Sequence, residues 1–459
     1  LRIEKAQLLG YDTPADFILS DKMAHDAATV DVFLEGIFTP AVDKARSEIV
    51  AMQEIMSEDA EAGLIADDSS AVICPWDWAY YAERVRRRDY DLDESLIKPY
   101  FKMENVREGV FETARRLYGL EFEKLDSIPS YHPDMEGFKV TDSDGSLVGI
   151  LLTDYYPRPT KRGGAWMNNF RNQQISPKGE DIRPIIVNVG NFTKPTAGHP
   201  SLLTLDEAAT MFHEFGHALH GLLSRCTYKD VSGTSVARDF VELPSQLNEN
   251  WALQPEVLAM YARHYETGEV IPDSLVAKIR AAGTFNQGFM TTELTAAAIL
   301  DMRWHELTSV YVPSDCPFAS EHPAPEGAKS GSLVVAGRPQ SLGSSQELRV
   351  IDPLKFEAYV MAQAGLIDEI IPRYRTTYFN HTFTGGYSAG YYSYLWAEVL
   401  DKDAFELFKS KGIFNRNVSM SYRRNILEKG GSEDPMTLYR RFRGAEPDPH
   451  ALLRARGLE

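Results

Sequence analysis

The residues with the most specific chemistry in this sequence are His213-Glu214-Phe215-Gly216-His217. Residues four apart on a helix share a face, so both imidazoles can reach one zinc ion. Glu214 follows the first histidine, where its carboxylate can take a proton from an attacking water and deliver it to a leaving amine. A helix is indicated independently. Thr204 with Glu207 three residues later makes a capping box, and an amphipathic run follows. His220 lies on the same face but about 10 Å from His213 along the axis, too far to share the ion, and is assigned to packing or support. His305-Glu306 imitates the start of the motif, but Ser309 stands where the second histidine belongs. That pair is read as a surface or core feature.

A third ligand has to come from elsewhere. The stretch ARDFVELPSQLNENW offers Asp239, Glu242 and Glu249. Glu242 and Glu249 are seven residues apart, about 10 Å on a helix, so at most one of them binds the same ion. Pro244 suits a first helical turn, which puts Glu242 at the helix start. Spacing alone does not choose among the three.

A second cluster, HTFTGGYSAGYYSYLW, sets His381 and four tyrosines around a glycine-rich turn. Tyr387, Tyr391 and Tyr394 fall on one helical face if a helix begins near Tyr387. Their hydroxyls, and His381, could donate to the oxyanion of a tetrahedral intermediate. The competing reading is an aromatic core face.

The elements that must position these groups are mostly helical. Apolar residues recur at helical spacing over Asp31–Met56 and Glu104–Leu120, and Trp76–Tyr90 carries an aromatic stripe with Arg84, Arg86, Arg87 and Arg88 as its solvated face. Between 136 and 192 the period shortens: Asp144-Gly145 signals a hairpin and PIIVNV reads as a second strand. PIIVNV is either an edge strand able to pair with an extended peptide or an interior strand. Lys161-Arg162-Gly163-Gly164 reads as a flexible basic loop, and Val312–Ser345, rich in Pro, Gly and Ser, as a long loop. The architecture is therefore mainly α with a small β insert. A helical region over 1–135 precedes a catalytic region over 136–459, which holds the sheet (136–192), the motif helix (204–224) and the C-terminal helices.

Composition narrows the partners. A net charge of −18 over 459 residues is the wrong sign for a nucleic-acid or anionic-membrane surface. Three cysteines cannot build a disulfide framework or a thiolate metal site, and no apolar run approaches the length of a membrane span. The chain opens on Leu1 inside what reads as helix, so it is expected to be a piece whose native start is missing. A cytoplasmic monomer is the expectation for compartment and assembly.

Together, HEFGHALHGL, ARDFVELPSQLNENW and HTFTGGYSAGYYSYLWAEVLD, with AQLLGY, KRGGAWM and NVGNFTKP, resemble the thimet oligopeptidase family of zinc peptidases over essentially the whole chain. His381 stands six residues before Tyr387, one more than in thimet oligopeptidase itself. That spacing is similar to the family's peptidyl-dipeptidase branch. The resemblance implies Zn²⁺ held by His213, His217 and Glu242, and leaves Glu249 out of the ligand set. It implies Glu214 as base and Tyr387, Tyr394 and His381 as transition-state donors. It implies a zincin-like fold of two mostly helical halves facing across a deep channel, with part of one half absent from this piece. Short unstructured peptides are the implied substrates, with dipeptides released from the C-terminus. An endo-oligopeptidase of the same fold and a catalytically dead peptide-binding fragment are the alternatives. Cutting at a fixed distance needs a cation for the free carboxylate, and Arg162, Lys194, Arg238 and Arg303 are the candidates.

Overall fold

Helical spacing dominates the apolar sequence, and the computed structural model, which describes residues 1–65 and 72–459, is mostly helix. Five helices matter for the site: α1 (Ala27–Glu61), α2 (Leu205–Leu223), α3 (Leu243–Ala252), α4 (Gln287–His305) and α5 (Ser393–Lys411). Among the described residues, no helix is long and apolar enough to cross a membrane. Two compact units interleave along the chain. The first comprises Leu1–Asp91, Thr284–Trp396 and Leu453–Glu459; the second comprises Leu92–Gly283 and Ala397–Leu452.

In the first unit, α1 and α4 pack backbone to backbone. A Cβ on Gly288 would lie 2.3 Å from the Ala45 nitrogen, so only glycine permits this approach. The Glu48 carboxylate accepts from the backbone nitrogens of Gly288 and Phe289 at 2.9 Å each, which satisfies the open start of α4. The expected long loop over Val312–Ser345 is instead partly strand. Tyr311–Pro313 and Ala319–Pro323 pair with Leu348–Ile351, and Leu333–Val335 pairs with Arg338–Gln340. Runs of three to five residues are too short for alternation to show against the surrounding Pro, Gly and Ser.

The second unit is built on a five-stranded sheet of β1 (Glu121–Lys124), β2 (Glu136–Thr141), β3 (Leu147–Asp154), β4 (Trp166–Arg171) and β5 (Ile185–Val189), in the order β1-β2-β3-β5-β4. The hairpin signalled by Asp144-Gly145 joins β2 to β3, with Gly145 at φ +81°. The sheet also begins earlier than expected, at Glu121. PIIVNV is an interior strand: β5 pairs parallel with β3 on one side and antiparallel with β4 on the other. Its burial shows why alternation is absent, since four of its five residues are inaccessible. The edge beside it is β4, an exposed strand.

Helix α2 begins at the expected capping box: the Thr204 hydroxyl accepts from Glu207 N at 3.1 Å, and Glu207 Oε2 accepts from Thr204 N at 2.9 Å. One side of α2 packs on the sheet, where a Cβ on Gly221 would meet Ile186 Cδ1 at 2.7 Å. Another side packs on α3 so closely that a Cβ on Gly216 would lie 2.4 Å from the Pro244 carbonyl oxygen. Backbone cannot yield there as a side chain would. Gly216→Ala is therefore expected to cost roughly 1–3 kcal/mol of stability and to weaken metal binding by separating α2 from α3. Gly36→Ala, on α1 where a Cβ meets nothing within 4 Å, serves as the control. Thermal melts and metal titrations of both variants check this; a Gly216→Ala protein matching the control would refute the packing argument.

Candidate metal centre

Three side chains from α2 and the start of α3 converge. His213, His217 and Glu242 each offer a ligand atom, and these atoms lie within 4.8 Å of one another. Glu242 Oε2 is 3.1 Å from His217 Nε2 and 3.5 Å from His213 Nε2. A tetrahedral zinc with ligands at about 2.0–2.2 Å keeps its ligand atoms roughly 3.3–3.6 Å apart, so the donor set and its spacing fit such an ion. Glu242 occupies the residue before α3, whose first turn contains Pro244, and Ser245 Oγ donates to its carboxylate at 3.2 Å and its carbonyl at 2.8 Å. Of the three carboxylates left open by spacing, Glu242 is the one the fold brings to both imidazoles. Asp239 is buried outside the triad.

Electrostatics point the same way. Burial by itself would raise Glu242's pKa and lower that of His213. Opposite charges and hydrogen bonds win: His217 and His213 hold Glu242 well below the carboxylate range, and Glu242 with Glu249 holds His213 well above the imidazole range. The pocket thus concentrates negative charge on the imidazoles and calls for a cation. Glu214 is 7% exposed, and its Oε2 is buried without a hydrogen-bond partner. Burial, followed by the opposing fields of His213 and His217, leaves its pKa raised. An ionisable oxygen left unbonded next to the ligands fits a group whose partner is a bound water.

Glu249, which the family pattern left out of the ligand set, touches the site from behind. Its Oε1 is 2.5 Å from His213 Nδ1, on the ring nitrogen opposite the one facing Glu242. Such a carboxylate fixes the imidazole's tautomer and orientation. The sequence signal for it was its place one helical face on from Glu242, read there only as competition for the ion. The Asn248 amide donates to Phe212 O at 2.6 Å and Asn188 Nδ2 to Glu214 O at 2.7 Å, which tie α2 to α3 and to β5. His220 is fully buried, and burial pushes its pKa down to about 3, so it packs as a neutral ring.

The second cluster belongs to the first unit. The helix there starts at Ser393, not near Tyr387, so the tyrosines do not share one helical face. They meet by a turn instead: the Tyr387 and Tyr394 rings stack at 5.3 Å with 9° between planes, and His381 lies 5.9 Å from Tyr387 and 6.4 Å from Tyr394. Burial, then the charge of Arg373, lowers the His381 pKa. Tyr391 is buried in the core of the cluster. What shapes the turn is Asp301 on α4, a residue with no local signature. Its carboxylate accepts from the backbone nitrogens of Ala389, Gly390 and Tyr391 at 3.0, 2.8 and 2.9 Å, holding Ala389 at φ +46°. His305 and Glu306 are core residues, with His305 Nδ1 3.0 Å from Asp301 and Glu306 paired to Arg303.

Comparison with known proteins adds to this geometry. The model of peptidase family M3 matches residues 1–321 and 344–458. The dipeptidyl carboxypeptidase of Escherichia coli K12 is 39% identical over 459 residues, all of this chain and 60% of that protein. The dipeptidyl carboxypeptidase of Salmonella typhimurium is 40% identical, over 99% of this chain and 60% of its own length. Oligopeptidase A of Escherichia coli K12 is 36% identical, over 100% of this chain and 61% of its own length. The chain thus spans about 60% of the length of these curated relatives.

Glu249→Gln keeps the shape but removes the charge behind His213. It is expected to weaken binding of a divalent metal about 10- to 100-fold with little change in melting temperature, measured by chelator competition. Unchanged affinity would show that Glu249 does not orient the ligand.

Proposed function

Because the chain belongs to peptidase family M3, we propose that it carries the catalytic body of a zinc peptidase that releases dipeptides from the C-termini of short, unstructured peptides. The observation that carries this reading is the convergence of His213, His217 and Glu242 with Glu214 at the next position on the same helix. Held by the two imidazoles and the carboxylate, zinc supplies a water acidified to about pKa 7 and a Lewis acid for the scissile carbonyl. The protein's own groups do the rest. Glu214 accepts the proton of the attacking water at its unbonded Oε2 and returns it to the leaving amine. Burial keeps that carboxylate out of bulk water, which suits a group that must both take and give a proton. Tyr387 and Tyr394 are assigned as hydrogen-bond donors to the developing oxyanion, with His381 beside them. Support for that assignment is the family resemblance and the local stacking of the two phenols.

The relatives named dipeptidyl carboxypeptidase favour dipeptide release. Oligopeptidase A at 36% identity favours a second reading, in which the same site cuts internally without regard to the C-terminus. The proposal also places the enzyme in the cytoplasm as a monomer. Its three cysteines are unpaired, as a reducing compartment keeps them.

The deciding experiment is mass spectrometry of the products from a nonapeptide with a free or an amidated C-terminus, with and without chelator. Sequential dipeptides from the free peptide alone, abolished by the chelator, support the proposal. Internal fragments from both peptides support the oligopeptidase. Metal bound without turnover indicates an inactive piece. Glu214→Gln is expected to retain zinc and lose about 10²–10⁴-fold in kcat, and Tyr387→Phe or Tyr394→Phe about 10²–10³-fold. Substantial turnover by Glu214→Gln would remove it as the base.

A further inference from the structure

Counting two residues from a C-terminus requires a cation fixed relative to the cleaved bond. Three of the four candidate cations are already engaged. Lys194 pairs with Asp134 at 2.5 Å, Arg303 is held between Asp31 and Glu306, and Arg238 has partners of its own. Arg162 is exposed, and its guanidinium has no ion-pair partner among the described residues.

The loop that presents Arg162 is not the flexible one its glycines suggested. The Lys161 side chain is 2% exposed and donates to Asp154 Oδ1 at 3.0 Å, to Asp154 O at 2.7 Å and to Tyr156 O at 2.8 Å. Arg158 adds a bidentate pair to the same buried Asp154, with both contacts at 2.9 Å. From the other side, Asn191 Nδ2 donates to the carbonyls of Arg162 at 2.9 Å and Gly164 at 2.7 Å. Lys161, the carbonyl of Arg162 itself and Gly164 are thus pinned, and a pinned base is what lets a side chain set a distance.

The loop leads directly into β4, the sheet edge. Met167 on β4 stands opposite Asn188 on β5, and Asn188 is the residue whose amide bonds Glu214 O. Met167 therefore marks the level of the catalytic glutamate along the edge. A peptide adding to this edge advances about 3.3 Å per residue. With its cleaved bond level with Met167, two further residues end beside Gly164 and Ala165, next to Arg162, provided the peptide runs antiparallel to β4. In the opposite direction the N-terminal part of the peptide would run past the guanidinium and present no free carboxylate to it.

Building on the peptidyl-dipeptidase reading above, we propose that Arg162 binds the free C-terminal carboxylate of a peptide laid antiparallel along the edge of β4, and so sets the cut two residues from the end. An arginine suits this role because its planar fork matches a carboxylate with two hydrogen bonds.

The test compares the zinc-loaded chain with its Arg162→Ala and Arg162→Lys variants on free and amidated forms of one nonapeptide, reading kcat and KM separately. Arg162→Ala is expected to raise KM for the free peptide about tenfold or more, with kcat within about threefold. The preference for free over amidated peptide should collapse, and lysine should restore part of it. Calorimetric titration of both peptides into Glu214→Gln protein, with and without Arg162→Ala, should show the same loss in binding alone. A preference that survives in Arg162→Ala, or equal losses on both peptides, overturns the assignment of Arg162 while leaving the peptidyl-dipeptidase reading intact. A wild-type chain that does not distinguish the two peptides overturns that reading, and the anchor with it.

Discussion

The approach of α2 to α3 at Gly216 governs the candidate metal centre, because the proposed ligands come from both helices. Two imidazoles four apart on α2 can be specified by local sequence, but the third ligand sits outside that helix. It reaches Nε2 of His217 at 3.1 Å only because the backbone of α3 lies where a Cβ on residue 216 would otherwise be. A glycine inside a helix costs roughly 0.5–1 kcal/mol relative to alanine, and here that cost is exchanged for the interhelical distance that a metal site needs. The same closeness places Glu249 against the far side of His213. One helix contact thus sets both the carboxylate beside His217 and the carboxylate behind His213.

The electrostatic consequence follows from that geometry. Two carboxylates approach one imidazole from its two nitrogens, at 3.5 and 2.5 Å. Like charges so close together, with Glu242 buried and Glu249 half-buried, are costly unless a cation lies among them. A proton on His213 is one answer, and the upward displacement of its pKa reflects it. A divalent ion is the answer that also uses His217. The surplus of acidic residues in the composition has no bearing on this; only two of those carboxylates face the ring.

Local chemistry was legible in the sequence, and long-range pairing was not. The capping box at Thr204, the hairpin at Gly145 and the face shared by His213 and His217 each depend on residues within a few positions of one another, and each stands where it was read. The position of PIIVNV in the sheet depends on β4, whose exposed Asn168, Asn169 and Phe170 carry no strand alternation. The turn before Ser393 depends on Asp301, about ninety positions away, whose carboxylate takes the backbone nitrogens of Ala389, Gly390 and Tyr391 and holds Ala389 at φ +46°, a conformation outside the right-handed helix. The rigidity of the loop around Arg162 depends on a buried Asp154 that precedes it on β3. Glycines announce conformational freedom, and their neighbours decide whether it is used.

What keeps α3 in place behind the site is a charged network, and its form suggests a role in geometry more than in stability. Next to Glu249, Asn250 donates to Asp401 and accepts from Lys402 Nζ at 3.1 Å, while Lys402 pairs with Asp401 at 2.8 Å. Asp401 is fully buried, and burial, only partly offset by Lys402, raises its pKa to about 6. Buried ion pairs of this kind are often no more stabilising than apolar residues of the same size. Their hydrogen bonds, unlike apolar contacts, are satisfied in one register only. A slip of α3 against α5 by a fraction of a turn would break the Asn250 bonds to Asp401 and Lys402 in the core, at a cost of about 1–3 kcal/mol for each buried group left short of a partner, whereas an apolar contact would tolerate it. The backbone contact at Gly216 limits how near α3 can come, and the Asn250 bonds fix where along its axis it sits. Between them they hold Glu242 and Glu249 on their two sides of His213.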